Sequence, residues 1–94
     1  MARTPLTPPV ADHAPDAGTL TDYDRDHLIT YLRLLDAEAD GADWAEVARL
    51  VLGLDPQGES EKSRAVWVSH MRRAHWMRDS GYEHLLRESQ DGKP

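Results

Sequence analysis

Leu34-Leu35-Asp36-Ala37-Glu38-Ala39-Asp40-Gly41-Ala42-Asp43-Trp44-Ala45-Glu46-Val47-Ala48-Arg49-Leu50-Val51-Leu52-Gly53 is the stretch that decides the fold. It reads as the end of one helix, a turn at Gly41, and a second helix with both ends marked. Asp43 can accept from the free N–H groups of the first turn, and Glu46 can reach back in a variant of the capping box. Trp44, Val47, Ala48, Val51 and Leu52 fall at helical spacing on one apolar stripe. Gly53 follows, where a left-handed cap costs glycine nothing in sterics. A short, bounded helix entered through a glycine turn has the pattern of a helix-turn-helix unit.

Working towards the N-terminus, Thr21 opens the first helix, with Asp22 and Asp24 at its positive end. Leu28, Tyr31, Leu32, Leu35 and Ala39 recur at steps of three and four, so they are expected to face the core. Asp22-x-Asp24-x-Asp26 has the start of a calcium loop, but His27 and Arg33 stand where that loop needs glycine and glutamate. Before it, Pro5, Pro8, Pro9, Pro15 and Gly18 crowd the first twenty residues, where fixed backbone angles and missing donors disfavour helix and sheet.

Towards the C-terminus, Leu54 to Glu59 makes a loop longer than a repressor-type turn, punctuated by Pro56 and Gly58. Ser60 or Ser63 can cap a third helix expected to run to about Asp79. Trp67, Met71, Ala74 and Met77 form its apolar stripe. Ser80-Gly81 is expected to stop it, and a short closing helix then packs Tyr82, Leu85 and Leu86 back on the core. No segment alternates as a strand does. The expected fold is all-α, a small helix-turn-helix variant of three main helices plus a short C-terminal helix. Residues 1–20 are expected as a disordered proline-rich arm, 21–88 as the domain and 89–94 as a flexible tail.

The 94 residues carry a net charge of −6 and no cysteine, which rules out disulfides and thiolate metal sites. The charge is uneven: residues 1–40 hold three arginines against eight carboxylates, whereas residues 59–94 hold seven cations against six anions. An acidic half beside a mildly basic segment suits a protein partner better than DNA as a whole. No apolar run approaches the roughly 20 residues of a membrane span, and the N-terminus lacks the apolar h-region of a secretory signal, so a cytoplasmic location is expected.

The five histidines make no metal set, and no base and orienting carboxylate surround Ser60, Ser63 or Ser69. Neither enzyme activity nor a cofactor is expected. The third helix is the candidate contact element. Glu59 and Glu61 at its start would repel phosphates, whereas Lys62 and Arg64 would attract them. Arg72, Arg73, Val68 and Trp76 lie off its apolar stripe, and arginine beside tryptophan is typical of interface hot spots. The expected contact set is Lys62, Arg64, Val68, Arg72, Arg73 and Trp76. The expected core is Leu28, Tyr31, Leu32, Leu35, Trp44, Val47, Ala48, Val51, Trp67, Met71, Met77, Tyr82, Leu85 and Leu86.

Several runs carry a resemblance: Leu32-Arg33-Leu34-Leu35-Asp36, Gly41-Ala42-Asp43-Trp44-x-Glu46-Val47-Ala48, Leu52-Gly53, Arg72-Arg73 and Gly81-Tyr82-x-x-Leu85-Leu86. Over residues 22–88 the chain resembles a proteobacterial helix-turn-helix-like family, long filed as a domain of unknown function, of regulators of conjugative element transfer. The resemblance implies either a DNA-binding activator domain or a stand-alone antiactivator. Length and acidic balance look most like the QseM-type quorum-sensing antiactivators. The expected function is therefore an antiactivator, a monomer that binds transcriptional activators of the same mobile element and has weak or no affinity for DNA. It would repress quorum-sensing-controlled excision and transfer. The alternative is sequence-specific DNA binding through the third helix.

Overall fold

The computed structural model describes residues 8–91. Among them every regular element is helical: α1 Asp22–Asp26, α2 Leu28–Ala39, α3 Trp44–Leu50, α4 Ser60–Trp76 and α5 Tyr82–Asp91, with a wide π-turn at Met77–Gly81 joining α4 to α5. The all-α reading of the sequence holds.

α1 starts on a complete capping box. The Thr21 hydroxyl accepts from the Asp24 N–H, and the Asp24 carboxylate accepts from the Thr21 N–H at 2.9 Å. The helix expected to continue from Thr21 is interrupted at His27, whose φ of −113° and ψ of 21° lie outside the helical range. α2 ends in a Schellman motif. Gly41 takes a φ of +72°, and the N–H groups of Ala42 and Gly41 donate to the carbonyls of Ala37 and Glu38, both at 3.0 Å. Asp43 then caps α3 through the Ala45 N–H at 3.1 Å, and Gly53 turns the chain away with a φ of +68°. Neither Ser60 nor Ser63 caps α4. Its N-cap is Glu59 without a side-chain bond, and Ser63 is buried within the helix. The loop before it is closed instead by Asp55, which accepts from the N–H groups of Gly58 and Glu59.

α4 is the central element, packing against α2 and α3. The core joins Tyr31, Leu34, Val47, Leu52, Met71, Ala74 and Met77, with Ala48 and Val66 also buried. Leu28, Leu35, Val51, Trp67 and Leu85 are partly buried at its edge, and Trp44 is half-buried against Trp67. Four residues expected to face the core do not: Ala39, at the end of α2, is exposed, and Leu32, Tyr82 and Leu86 are 47%, 39% and 63% exposed. For Leu32 the reason is that α2 buries polar groups. Its inner face follows His27, Thr30, Tyr31 and Leu34, turned away from the purely apolar stripe. For Tyr82 and Leu86 the reason is that the chain does not reverse at Ser80-Gly81. It passes through the π-turn, where the Tyr82 N–H donates to the Met77 carbonyl. Gly81 is buried there, and a Cβ would strike the Met77 sulfur. A π-turn absorbs one residue, so a count at 100° per residue misplaces everything after it. α5 then continues to Asp91, into the stretch expected as a tail; residues 92–94 lie outside the described residues.

Residues 8–20 form no helix or strand, in keeping with their prolines, but they do not stand off from the domain. They lie as a strap across α4, with Ala14 buried and its N–H donating to the Ser69 hydroxyl at 3.1 Å. The Ala11 N–H donates to the Tyr23 hydroxyl, and His27 spans the carbonyls of Tyr23 and Pro9. The rest of the expected arm, residues 1–7, lies outside the described residues.

Beneath the strap sits a buried ion pair. Arg73, 3% exposed, donates from Nε and Nη2 to the two oxygens of Asp24 at 2.9 and 2.6 Å. Nη1 and the second hydrogen of Nη2 reach the strap carbonyls of Ala17 and Thr19 at 2.6 and 2.9 Å, and the Tyr31 hydroxyl donates to Asp24 at 2.8 Å. Burial pushes the Asp24 carboxyl up, but the hydrogen bonds from Arg73, Thr21 and Tyr31 outweigh it and hold it below the usual range. His70 sits alongside. Its Nδ1 lies 2.8 Å from the Val66 carbonyl, which can only accept, so Nε2 accepts from the Tyr23 hydroxyl at 2.6 Å. Burial, helped by repulsion from His27 and His13, lowers the His70 pKa.

Removing one partner of the pair, by Asp24→Ala or Arg73→Met, should cost about 3–5 kcal/mol in chemical denaturation, because the other charge stays buried. Both lowered values act in the same direction on pH. His70 contributes stability that is present above its unfolded value of about 6.5 and lost as pH falls below it. Asp24 contributes stability that is lost as pH falls from about 3.9 through its lower folded value. Melting temperature should therefore decline between pH 7 and 5, with a slope that His70→Gln flattens, and decline again below pH 4.

Candidate nucleic-acid interface

Because strap, α2 and α3 cover the rest of α4, one stripe of that helix remains outward. Glu61, Arg64, Ala65, Val68 and Arg72 are exposed along it, and His75 lies at its edge. Successive steps of three and four place these side chains on one helical face.

The six residues expected to make contacts separate into three situations. Arg64, Val68 and Arg72 are on the outward stripe. Arg64 lies with its guanidinium carbon 4.8 Å from the Trp44 ring centroid and 5.2 Å from that of Trp67. The two indoles are themselves 5.9 Å apart and tilted by 47°. Arg72 has no carboxylate partner among the described residues and borders a groove formed with Glu38, Trp67, Val68, Met71 and His75. Lys62 lies on the flank next to the strap, at 3.9 Å from Asp12 and 4.0 Å from Glu59, in solvated pairs that contribute little to stability.

Arg73 is buried and Trp76 is packed between two neighbours, so neither stands free on the outward stripe as the sequence suggests. Arg73 is consumed by Asp24 and the strap carbonyls. Trp76 is half-buried, with the Arg73 guanidinium 3.8 Å from its ring centroid and the His84 ring stacked at 5.6 Å. The Arg72-Arg73 dipeptide thus divides its labour, since adjacent helical residues point 100° apart. Nothing local in the sequence marks which arginine turns inward; the carboxylate that selects Arg73 is 49 residues away. Two further features of the site have no signature in the sequence. One is the seat of Trp44 and Trp67 under Arg64. The other is the pairing of His75 with Glu38 at 2.8 Å, which ties the groove wall to α2.

Among the described residues no group of three or more His, Cys, Asp or Glu could hold a metal ion, and no helix is long and apolar enough to cross a membrane. What the stripe offers is two planar cations, Arg64 and Arg72, two aliphatic side chains, Ala65 and Val68, and one carboxylate, Glu61, on a helix braced from behind. This is the arrangement of a helix-turn-helix-like regulator, in which one supported helix presents its face to a partner. The chain belongs to the RovC family of T6SS transcription factor DNA-binding domains, whose sequence model matches residues 3–87. That family is a class of transcription factor domain, not of enzyme. No curated protein matches the chain.

Trp76 separates packing from contact. Trp76→Ala should lower stability by about 3 kcal/mol in thermal or urea melts, the scale of a large aromatic truncation. A variant that melts like the parent would return Trp76 to the surface.

Proposed function

We propose that this protein regulates transcription by binding DNA, setting the outward stripe of α4 against the major groove. The family to which the chain belongs carries this reading, and the two stripe arginines without carboxylate partners support it. Arg72 is the phosphate contact, because an unpaired guanidinium displaces condensed counterions. Val68 can meet a thymine methyl group, and Glu61 can accept from a cytosine amino group, so an acid at this position does not have to face phosphate. The net charge of −6 limits non-specific affinity and leaves discrimination to base contacts.

A second reading is the QseM-type antiactivator, which binds a transcriptional activator of a mobile element and represses quorum-sensing-controlled transfer. The observations that favour it are the acidic balance and the exposed apolar side chains of Ile29, Leu32 and Leu50. On either reading the protein works in the cytoplasm.

Fluorescence anisotropy with duplexes from promoters near its gene distinguishes them. DNA binding predicts saturable, sequence-dependent association that weakens with salt, with a log–log slope of about −2 to −3 for a footprint of few cations. Arg72→Ala should weaken all duplexes alike and reduce that slope by about 1. Absence of saturable binding at low salt, together with capture of an activator from the same element, would establish the second reading instead.

A further inference from the structure

We infer that Arg64 reads a guanine in the target duplex and that Trp44 and Trp67 are its positioning residues; this rests on the DNA-binding reading above. The cations of α4 are not equivalent. Lys62 faces Asp12 and Glu59, and Arg73 is buried on Asp24. Arg72 is exposed without a seat. Arg73 also lies over an indole, that of Trp76, but it is buried; among the exposed cations of α4 Arg64 alone lies over aromatic faces, those of Trp44 and Trp67. A guanidinium over an indole is attracted through the ring quadrupole, while its N–H donors remain available at its edge. None of those donors meets a carboxylate among the described residues.

Three properties follow. The seat restricts the rotamers of a long side chain before it binds, so less freedom is lost on contact. The rings come from two elements, α3 and α4, so the position of the guanidinium is fixed to the packing of the domain and not to one helix. Arg64 is also one turn into α4, in the N-terminal part of the helix that approaches base edges in helix-turn-helix complexes. A planar fork held at that place matches the O6 and N7 acceptors of guanine, which a lysine ammonium cannot engage in the same bidentate way.

The test uses the full chain and a randomised duplex pool. Sequences selected by the parent protein should share a guanine whose replacement by 7-deazaguanine, which lacks N7, weakens binding roughly tenfold or more. Arg64→Lys keeps the charge on an exposed site and should still bind the pool, but with discrimination at that guanine reduced to about twofold or less. Trp44→Leu, checked for helical content by circular dichroism, should reduce discrimination by about threefold or more while the salt slope stays unchanged. Selection of the same guanine by Arg64→Lys would overturn the assignment and leave DNA binding intact. Failure of the parent to enrich any sequence would overturn the DNA-binding reading itself.

Discussion

The ion pair between Asp24 and Arg73 is the constraint on which the other parts depend. It gathers four separate parts of the chain: the capping box of α1 through Thr21, the start of α2 through Tyr31, the middle of α4, and the strap through the carbonyls of Ala17 and Thr19. A charged pair at this depth is no large source of net stability, since desolvation offsets most of the attraction. What it imposes is arrangement. The four hydrogen bonds of the guanidinium and those of the carboxylate are made only if α1, α4 and the strap arrive in one mutual orientation, and any slip leaves buried charge without partners. The outward direction of α4's stripe, and hence the position of Arg64 and Arg72, follows from that orientation.

Local signals were legible in the sequence. The helix start at Thr21, the glycine exits at Gly41 and Gly53 and the cap at Asp43 depend on neighbours a few residues apart, and the structure contains all four; the capping box expected at Asp43 and Glu46 forms instead at Thr21 and Asp24, and Asp43 caps without it. Failures arose where the deciding partner was distant. Apolar periodicity assigned Leu32 to the core because it counted only apolar residues, while α2 buries His27 and Thr30 beside Tyr31. Ser80-Gly81 has the composition of a helix stop, yet tight packing of Gly81 on Met77 and Trp76 makes it a place where the helix widens and continues. In the strap, proline density correctly excluded regular structure, but regular structure and attachment are different things. Backbone carbonyls without a ladder are the acceptors that a buried arginine needs.

Of the candidate site, composition identified α4 and its cations but could not sort them. Whether an arginine serves the core or the surface depends on a carboxylate or an aromatic ring elsewhere in the chain. The overall acidity also meant less than it first suggested. Exposed carboxylates at Asp36, Asp40, Asp43 and Glu46 belong to α2, α3 and the caps between them, while α4's stripe carries the unpaired arginines. A net negative charge opposes approach to a polyanion, while two unpaired arginines on one stripe favour approach by that side. Net charge therefore sets the rate of encounter, and the distribution sets its orientation.

The π-turn at Met77–Gly81 bears on how chains of this kind can change length. Because the widened turn accommodates one residue more than an α-turn, the helix after it keeps its direction and its face. Loss of a single residue there would restore ordinary α-helical winding with Leu85 still against the core. The same deletion within α4 would rotate every following side chain by 100° and break the stripe in two. Single-residue gaps among relatives should therefore collect at this turn and be absent from the helix before it, because only at Met77–Gly81 can the chain change length by one residue without altering what α4 presents.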